Sequence, residues 1–305
     1  MQRPAGKTTT LALALCACVA SPLLMAATPI EQTRPLDPRG TVEIDNLKGR
    51  IEVRAWNRNE VHISGTLGDG VEKLIIEGDG DHLLVKAQYP HQDGGWSGGR
   101  TGPTDLRLQV PIRADLDIES VSADIDVAGV APGDLSIDTV SGKVVVAAAP
   151  DEADINSVSG NVQATLNSGD VKLETVSGDA VLGGRLKGEV HGETVSGQLS
   201  IDSNGGSLRR LTTGTVSGDT SIRVGLADGG EIRSETVSGD LRVRLPRNVS
   251  ARVSAESFSG DLRAPGARIE KEEFGPGSSF EQRYGSGAGE VHLETFSGDA
   301  VLELE

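Results

Sequence analysis

The sequence predicts an all-β fold, a single-stranded, β-helix-like solenoid of roughly ten coils of 18–21 residues with an N-terminal β-rich cap. Three observations predict it. The motif acidic-[Thr/Ser]-[Val/Phe]-Ser-Gly-polar-apolar recurs along the chain, and the stretches between copies alternate with period two, as in Leu241-Arg-Val-Arg-Leu245. Aromatic residues make up only 3% of a chain that carries 40 glycines, so the interior must be built from Val, Leu and Ile. Helical repeats need about 33 residues or more per unit, which this spacing excludes.

The motif places glycine at Gly142, Gly160, Gly178, Gly197, Gly218, Gly239, Gly260 and Gly298, with Ala123 in the first such place. Successive spacings are 19, 18, 18, 19, 21, 21, 21 and 38 residues. The last reads as two repeats, one without the motif, with a loop inserted near residues 270–289 around Phe274-Gly-Pro-Gly-Ser-Ser-Phe280. If Val237 points inward, period-two alternation sends Gly239, Leu241 and Val243 inward and Thr236, Ser238, Asp240 and Arg242 outward. The repeated glycine then either bends a strand inside a narrow coil or holds a positive φ at a Ser-Gly corner. Coils stacked about 4.8 Å apart make a column on the order of 45 Å long.

The N-terminal part follows the same plan with decorations. Asp45-Asn-Leu-Lys-Gly-Arg-Ile-Glu-Val53 has the motif's shape, with Gly49 in the glycine place. Val61 to Thr66, Leu74 to Glu77 and Leu83 to Ala87 read as strands, with a hairpin turn at Gly78-Asp-Gly-Asp81. His91 to Thr104 reads as a Gly-rich loop, and Leu106 to Val110 restarts the strands. The expected division is a signal peptide at 1–27, a linker at 28–40, the cap and first coil at 41–118, and solenoid repeats at 119–305.

The signal is read from Arg3 and Lys7, the apolar run Leu11 to Val19, and the small residues Ala26 and Ala27. It implies export, and no segment supplies the roughly 20 apolar residues of a transmembrane helix. An alternative reading takes Leu15-Cys16-Ala17-Cys18 as a lipobox with lipidation at Cys18. Cleavage near Ala27 removes both cysteines of the chain, leaving neither disulfides nor thiolate metal sites. It also takes the formal charge from −16 to −18, a balance that argues against nucleic acid or anionic lipid as the main partner.

The opening Gly40-Thr-Val-Glu-Ile-Asp-Asn-Leu-Lys-Gly-Arg-Ile-Glu-Val-Arg-Ala-Trp-Asn-Arg-Asn-Glu-Val61 and the Thr-Val-Ser-Gly-Asp repeats resemble a bacterial β-strand-repeat family. So does Phe274-Gly-Pro-Gly-Ser-Ser followed by Glu294-Thr-Phe-Ser-Gly-Asp299. That family is catalogued as domain of unknown function 4097 and labelled a candidate adhesin. The resemblance implies a repeat architecture, supplies no catalytic residues, and favours the periplasm or outer surface of a Gram-negative bacterium.

Two acidic series run along the repeats. Glu119, Asp138, Glu174, Glu193, Glu235, Glu256 and Glu294 precede Thr or Ser, and Asp124, Asp179, Asp219, Asp240, Asp261 and Asp299 follow Gly or its Ala substitute. Stacked carboxylates repel unless cations compensate, which makes Glu174, Asp179, Glu193, Asp219, Glu235, Asp240 and Asp261 the candidate metal ligands. A solvated polar surface explains them more plainly, and that reading outweighs the other. A glycan-active β-helix enzyme would need a unique carboxylate cluster, whereas these carboxylates are distributed by the repeat. The histidines His62, His82, His91, His191 and His292 fall at unrelated repeat positions and read as surface residues. Trp56 and Trp96, one in the cap and one in the loop, form no sugar-stacking platform, and the interleaved Asp residues argue against a flat Thr/Ser ice-ordering face. The expectation is a non-catalytic, structural or adhesive protein without cofactor, its partner a protein or glycan at the cell envelope.

Overall fold

The computed structural model describes residues 28–90, 101–273 and 275–305. The signal, both cysteines, His91 and Trp96 lie outside the described residues. Among the described residues every regular element is a strand. In the middle of the chain each coil supplies two strands. One set, Asp134–Thr139, Glu152–Ser157, Asp170–Ser177 and Gly188–Ser196, stacks in parallel register as a first wall. The other, Val144–Ala148, Val162–Leu166 and Ala180–Gly184, stacks as a second. The long strands Leu199–Ser217 and Thr220–Ser238 continue both walls, so that Ser157, Thr175, Thr194, Thr215 and Thr236 fall in one ladder. Between the walls lies an aliphatic core, with Ile137, Ile155, Leu173, Leu182 and Ile222 at most 1% exposed. Such ladders satisfy the backbone while burying branched side chains, so small residues suffice for a core.

At the ends the chain leaves sequence order. Gly289–Ser297 pairs with Thr220–Ser238 on one side and Ala251–Ser259 on the other, and Ala300–Leu304 lies between Leu241–Leu245 and Leu262–Arg263. The last coil of the sequence is therefore the penultimate rung of the column. Ser278–Tyr284 runs antiparallel along Ala251–Ser257 and covers the open edge, with Glu270–Lys271 beyond it. The 38-residue spacing suggested two stacked coils with an inserted loop; instead, among the described residues, Leu262–Arg263 completes the last rung, and Glu270–Lys271 and Ser278–Tyr284 are its antiparallel lid. An antiparallel strand blunts an edge that would otherwise recruit other chains.

The other end is built alike. Thr41–Trp56 sits between Asp115–Ala128 and the rung made by His82–Gln88 and Thr104–Pro111. Lys73–Asp79 folds back on His82–Gln88 as the expected hairpin. Glu60–Leu67 and Thr28–Pro35 extend the second wall antiparallel, so residues 28–35 are a strand rather than a linker. Thr104, expected in a loop, opens a strand and is fully buried.

The expected side-chain parity is overturned at the corner. Thr236 is 4% exposed and Val237 50% exposed, while Leu241 is again buried. Alternation cannot be carried through a corner: Val237 to Asp240 all lie on the outside as the chain crosses between walls. The glycine question resolves in favour of the corner. Gly239 has φ of +148°, and a Cβ there would lie 2.1 Å from the carbonyl oxygen of Gly218 one rung away. Gly160, Gly178 and Gly260 are crowded in the same way by the glycine of the neighbouring rung. The corner serine ties rungs together, as where the hydroxyls of Ser141 and Ser159 donate to the carbonyls of Val121 and Val140, each at 3.0 Å.

Candidate functional site

Because the corner turns the motif's apolar residue outward, stacking makes it a continuous exposed row. In rung order it runs Leu47, Val121, Val140, Val158, Val176, Val195, Val216, Val237, Phe296 and Phe258, each between 37% and 56% exposed. Corner hydrogen bonds such as Ser159 N–H to Val140 O at 2.8 Å and Ser177 N–H to Val158 O at 2.8 Å hold consecutive members in step. At the C-terminal end Phe258 and Phe296 stack face to face, ring centroids 4.8 Å apart and planes 7° from parallel. A monomer rarely displays so ordered an apolar stripe without covering it.

Two positions earlier, and on the same face, stands the first acidic series, interrupted by Asn156 and Gly214 on the rungs of Val158 and Val216. Asp45, Glu119, Asp138, Glu174, Glu193, Glu235 and Glu294 form one bank of a furrow of about 1130 Å³ whose other bank is the apolar row. The row is compensated unevenly. Lys172 lies 3.0 Å from Glu174, His191 3.2 Å from Glu193, and Arg233 pairs with Glu235 at 2.5 Å. Toward the N-terminal end the neighbours are acidic instead. Burial, then Asp117, Asp45, Glu43 and Asp138, hold the Glu119 carboxyl above the usual carboxylate range, and burial with Glu43 and Asp138 does the same to Asp117. Lys86 answers part of this charge by pairing with Asp45.

The second acidic series has another task. Asp219 Oδ1 accepts the backbone N–H of Asp240 at 3.0 Å, and Asp240 Oδ1 accepts that of Asp299 at 3.0 Å. Asp179 does this for Gln198 at 3.1 Å, and Asp299 for Asp261 at 2.9 Å. These carboxylates supply acceptors at the corner, where backbone partners run out. The seven metal candidates therefore stand in two rows: Glu174, Glu193 and Glu235 line the furrow, and Asp179, Asp219, Asp240 and Asp261 do not. Among the described residues only Glu174 and Glu193 of these meet with a third donor, His191, their ligand atoms within 4.8 Å of one another, and the Lys172 ammonium already occupies that neighbourhood. His62 and His82 sit against Glu31 and Glu43 at the other end of the column, and His292 against Glu294. Trp56 packs in the N-terminal region, its Nε1–H donating to the carbonyl of Glu60 at 2.7 Å and Arg58 lying over its ring.

Sequence reasoning missed the apolar row because it placed those valines inside. One signal pointed to it: the same motif position accepts Leu47, Val, Phe258 and Phe296, a size range that a packed interior ladder would resist.

These features define an all-β repeat protein of stacked two-walled coils with one banded, solvent-facing furrow. The chain belongs to the Toastrack DUF4097 family, whose model matches residues 41–303. No curated protein matches it. Among solved structures it is similar to one from Parabacteroides distasonis described as a candidate lipid-binding protein, at 11% identity over 91% of this chain and 97% of that one, TM-score 0.44. It is also similar to a candidate adhesin from the same species, at 10% identity over 91% and 98%, TM-score 0.43. A candidate cell adhesion protein from Clostridium sporogenes matches at 13% identity over 91% and 100%, TM-score 0.24.

Proposed function

We propose that the protein is a non-catalytic, exported binding component of the bacterial cell envelope, a column of roughly ten single-chain coils that adheres through the furrow. The carrying observation is the unbroken apolar row from Leu47 to Phe258 beside the carboxylate row. Its repetition is what a binding wall needs and what an active site lacks. Catalysis requires two or three unlike groups converging in a sheltered place, whereas the carboxylates here are spread along an open wall, and the mixed group of Glu174, His191 and Glu193 is at most half-buried and already shares Lys172. Export follows from the signal-like residues 1–27, with the periplasm or outer surface as destination.

The test is retention on isolated Gram-negative envelopes, measured by co-sedimentation for the wild type and for Val158→Thr/Val176→Thr/Val195→Thr/Val216→Thr. Burial of a half-exposed valine in a complex is worth on the order of 1 kcal/mol, so the quadruple variant should lose at least about tenfold in affinity. Its melting should be unchanged. Equal retention of both proteins would refute the furrow as the binding face.

A further inference from the structure

The furrow's charge, spacing and backbone chemistry together say what kind of partner it fits, given the reading above that it is the binding face. We propose that it receives an amphipathic cationic α-helix lying along the column, with a basic stripe over the carboxylate row and an apolar stripe over the valine row.

Charge decides the sign of the partner. On the rungs of Glu174, Glu193 and Glu235 the carboxylate has a basic neighbour in Lys172, His191 or Arg233. Glu119 stands instead among Asp117, Asp45, Glu43 and Asp138, with Lys86 the nearby cation, and the whole chain carries −16. A phosphate-bearing or carboxylate-bearing ligand would add to this repulsion, whereas a lysine or arginine stripe would relieve it.

Spacing decides the conformation. Rungs repeat about every 4.8 Å, a helix brings a side chain back to one face about every 5.4 Å, and an extended strand about every 6.7 Å. Over the run of rungs from Glu119 to Phe296 a helix drifts about 4 Å from the rows and a strand about 13 Å. Strand addition has no foothold here either. The mid-column strands that carry both rows are paired on both sides, as Asp170–Ser177 is by Glu152–Ser157 and Gly188–Ser196, so no backbone donors remain for an added strand. A helix needs none.

The two ends of the furrow differ, which gives the bound helix a direction. Its basic residues concentrate over Glu119 and Asp138, and its bulkiest apolar or aromatic residue meets the stacked Phe258–Phe296 pair.

The experiment is titration calorimetry of the protein, purified as exported, at physiological salt against three 24-residue synthetic peptides, about 36 Å long as helices and so able to reach from Glu119 to Phe296. One carries Leu and Lys in helical pattern, one the same composition in strict alternation, and one Leu and Glu in helical pattern. The helical Leu/Lys peptide should bind, at least about tenfold tighter than the alternating one, and the Leu/Glu peptide should not. Glu119→Gln/Asp138→Asn and Val158→Thr/Val176→Thr/Val195→Thr should each weaken it at least about fivefold. Glu77→Gln/Asp105→Asn, the same charge change at residues that do not line the furrow, should leave it unchanged. Equal or tighter binding of the alternating or Leu/Glu peptide, or equal losses in the control variant, would overturn the inference. Loss of envelope retention in the valine variant together with no peptide binding would overturn the helix and leave the binding face standing. Loss of neither would overturn both.

Discussion

The two acidic rows are alike in charge, period and exposure, yet one builds the column and the other is left for use. Asp179, Asp219 and Asp240 each accept a backbone N–H from the next rung at the Ser-Gly corner. Among the described residues Glu174, Glu193 and Glu235 bond to no backbone; their partners are the side chains of Lys172, His191 and Arg233. A carboxylate fixed by a backbone donor is part of the fold, and one held by mobile side chains can exchange them for a ligand's. Repetition alone does not separate structural from functional residues; what each carboxylate touches does.

The comparison can be broken at the corner that the Asp row serves. Gly239→Val places a side chain against the Gly218 carbonyl at a φ disfavoured for β-branched residues, and should cost about 1–3 kcal/mol or more in denaturant melts. An undiminished midpoint would show that the corner tolerates a side chain. Next in size, Asp240→Ala removes the acceptor for Asp299 N–H and should cost about 1 kcal/mol, whereas Asp240→Asn keeps Oδ1 and should stay within about 0.5 kcal/mol. The chain already contains this substitution in effect, since Asn161 Oδ1 accepts Asp179 N–H at 3.1 Å. Repeating the pair with calcium and with chelator sharpens it. Damage by Asp240→Asn only in calcium would make the corner row a metal ladder.

On the other row, Glu235→Gln should change stability by less than about 0.5 kcal/mol, because it gives up only a surface pair with Arg233. The smallest effect is one of pH. Glu119 and Asp117 face Glu43, Asp45 and Asp138, with Lys86 on the Asp45 side, and their folded-state pKa values are raised. Their ionised forms are the costly ones in the native protein. Stability gained from them is present below the ordinary carboxylate pKa and lost as pH rises through the raised value. Glu119→Gln should therefore stabilise the protein slightly at neutral pH and reduce its gain on acidification, read as the difference in melting temperature between the two conditions. A larger gain on acidification in the variant would reverse this sign.

Much of the fold was legible because coil length, alternation and glycine punctuation are properties of neighbouring residues. The hairpin of Lys73–Asp79 and His82–Gln88 was visible in Gly78-Asp-Gly-Asp81, and the parallel rungs in the motif's period. Rung order at the ends was not. Stacked in sequence order, Asp240 would neighbour Asp261, but Asp299 lies between them, because Gly289–Ser297 enters the column ahead of Ala251–Ser259. Nothing local encodes that swap, since Phe258 and Phe296 carry the same motif. The furrow was hidden by a single assumption, that alternation continues through the Ser-Gly corner. Its acidic bank was read from the sequence as a surface, while its apolar bank was assigned to the interior.

That assumption also gives the most direct test of the account, which holds that the repeat points its threonine in and its valine out. In a background with Cys16→Ser and Cys18→Ser, single cysteines are placed at Thr236→Cys and at Val237→Cys, and the rate of thiol modification is measured in the native protein. Val237→Cys should react almost as fast as an unfolded peptide, and Thr236→Cys should be protected until the protein opens. Fast reaction at 236 with protection at 237 would return the valines to the interior and leave the furrow without its apolar bank.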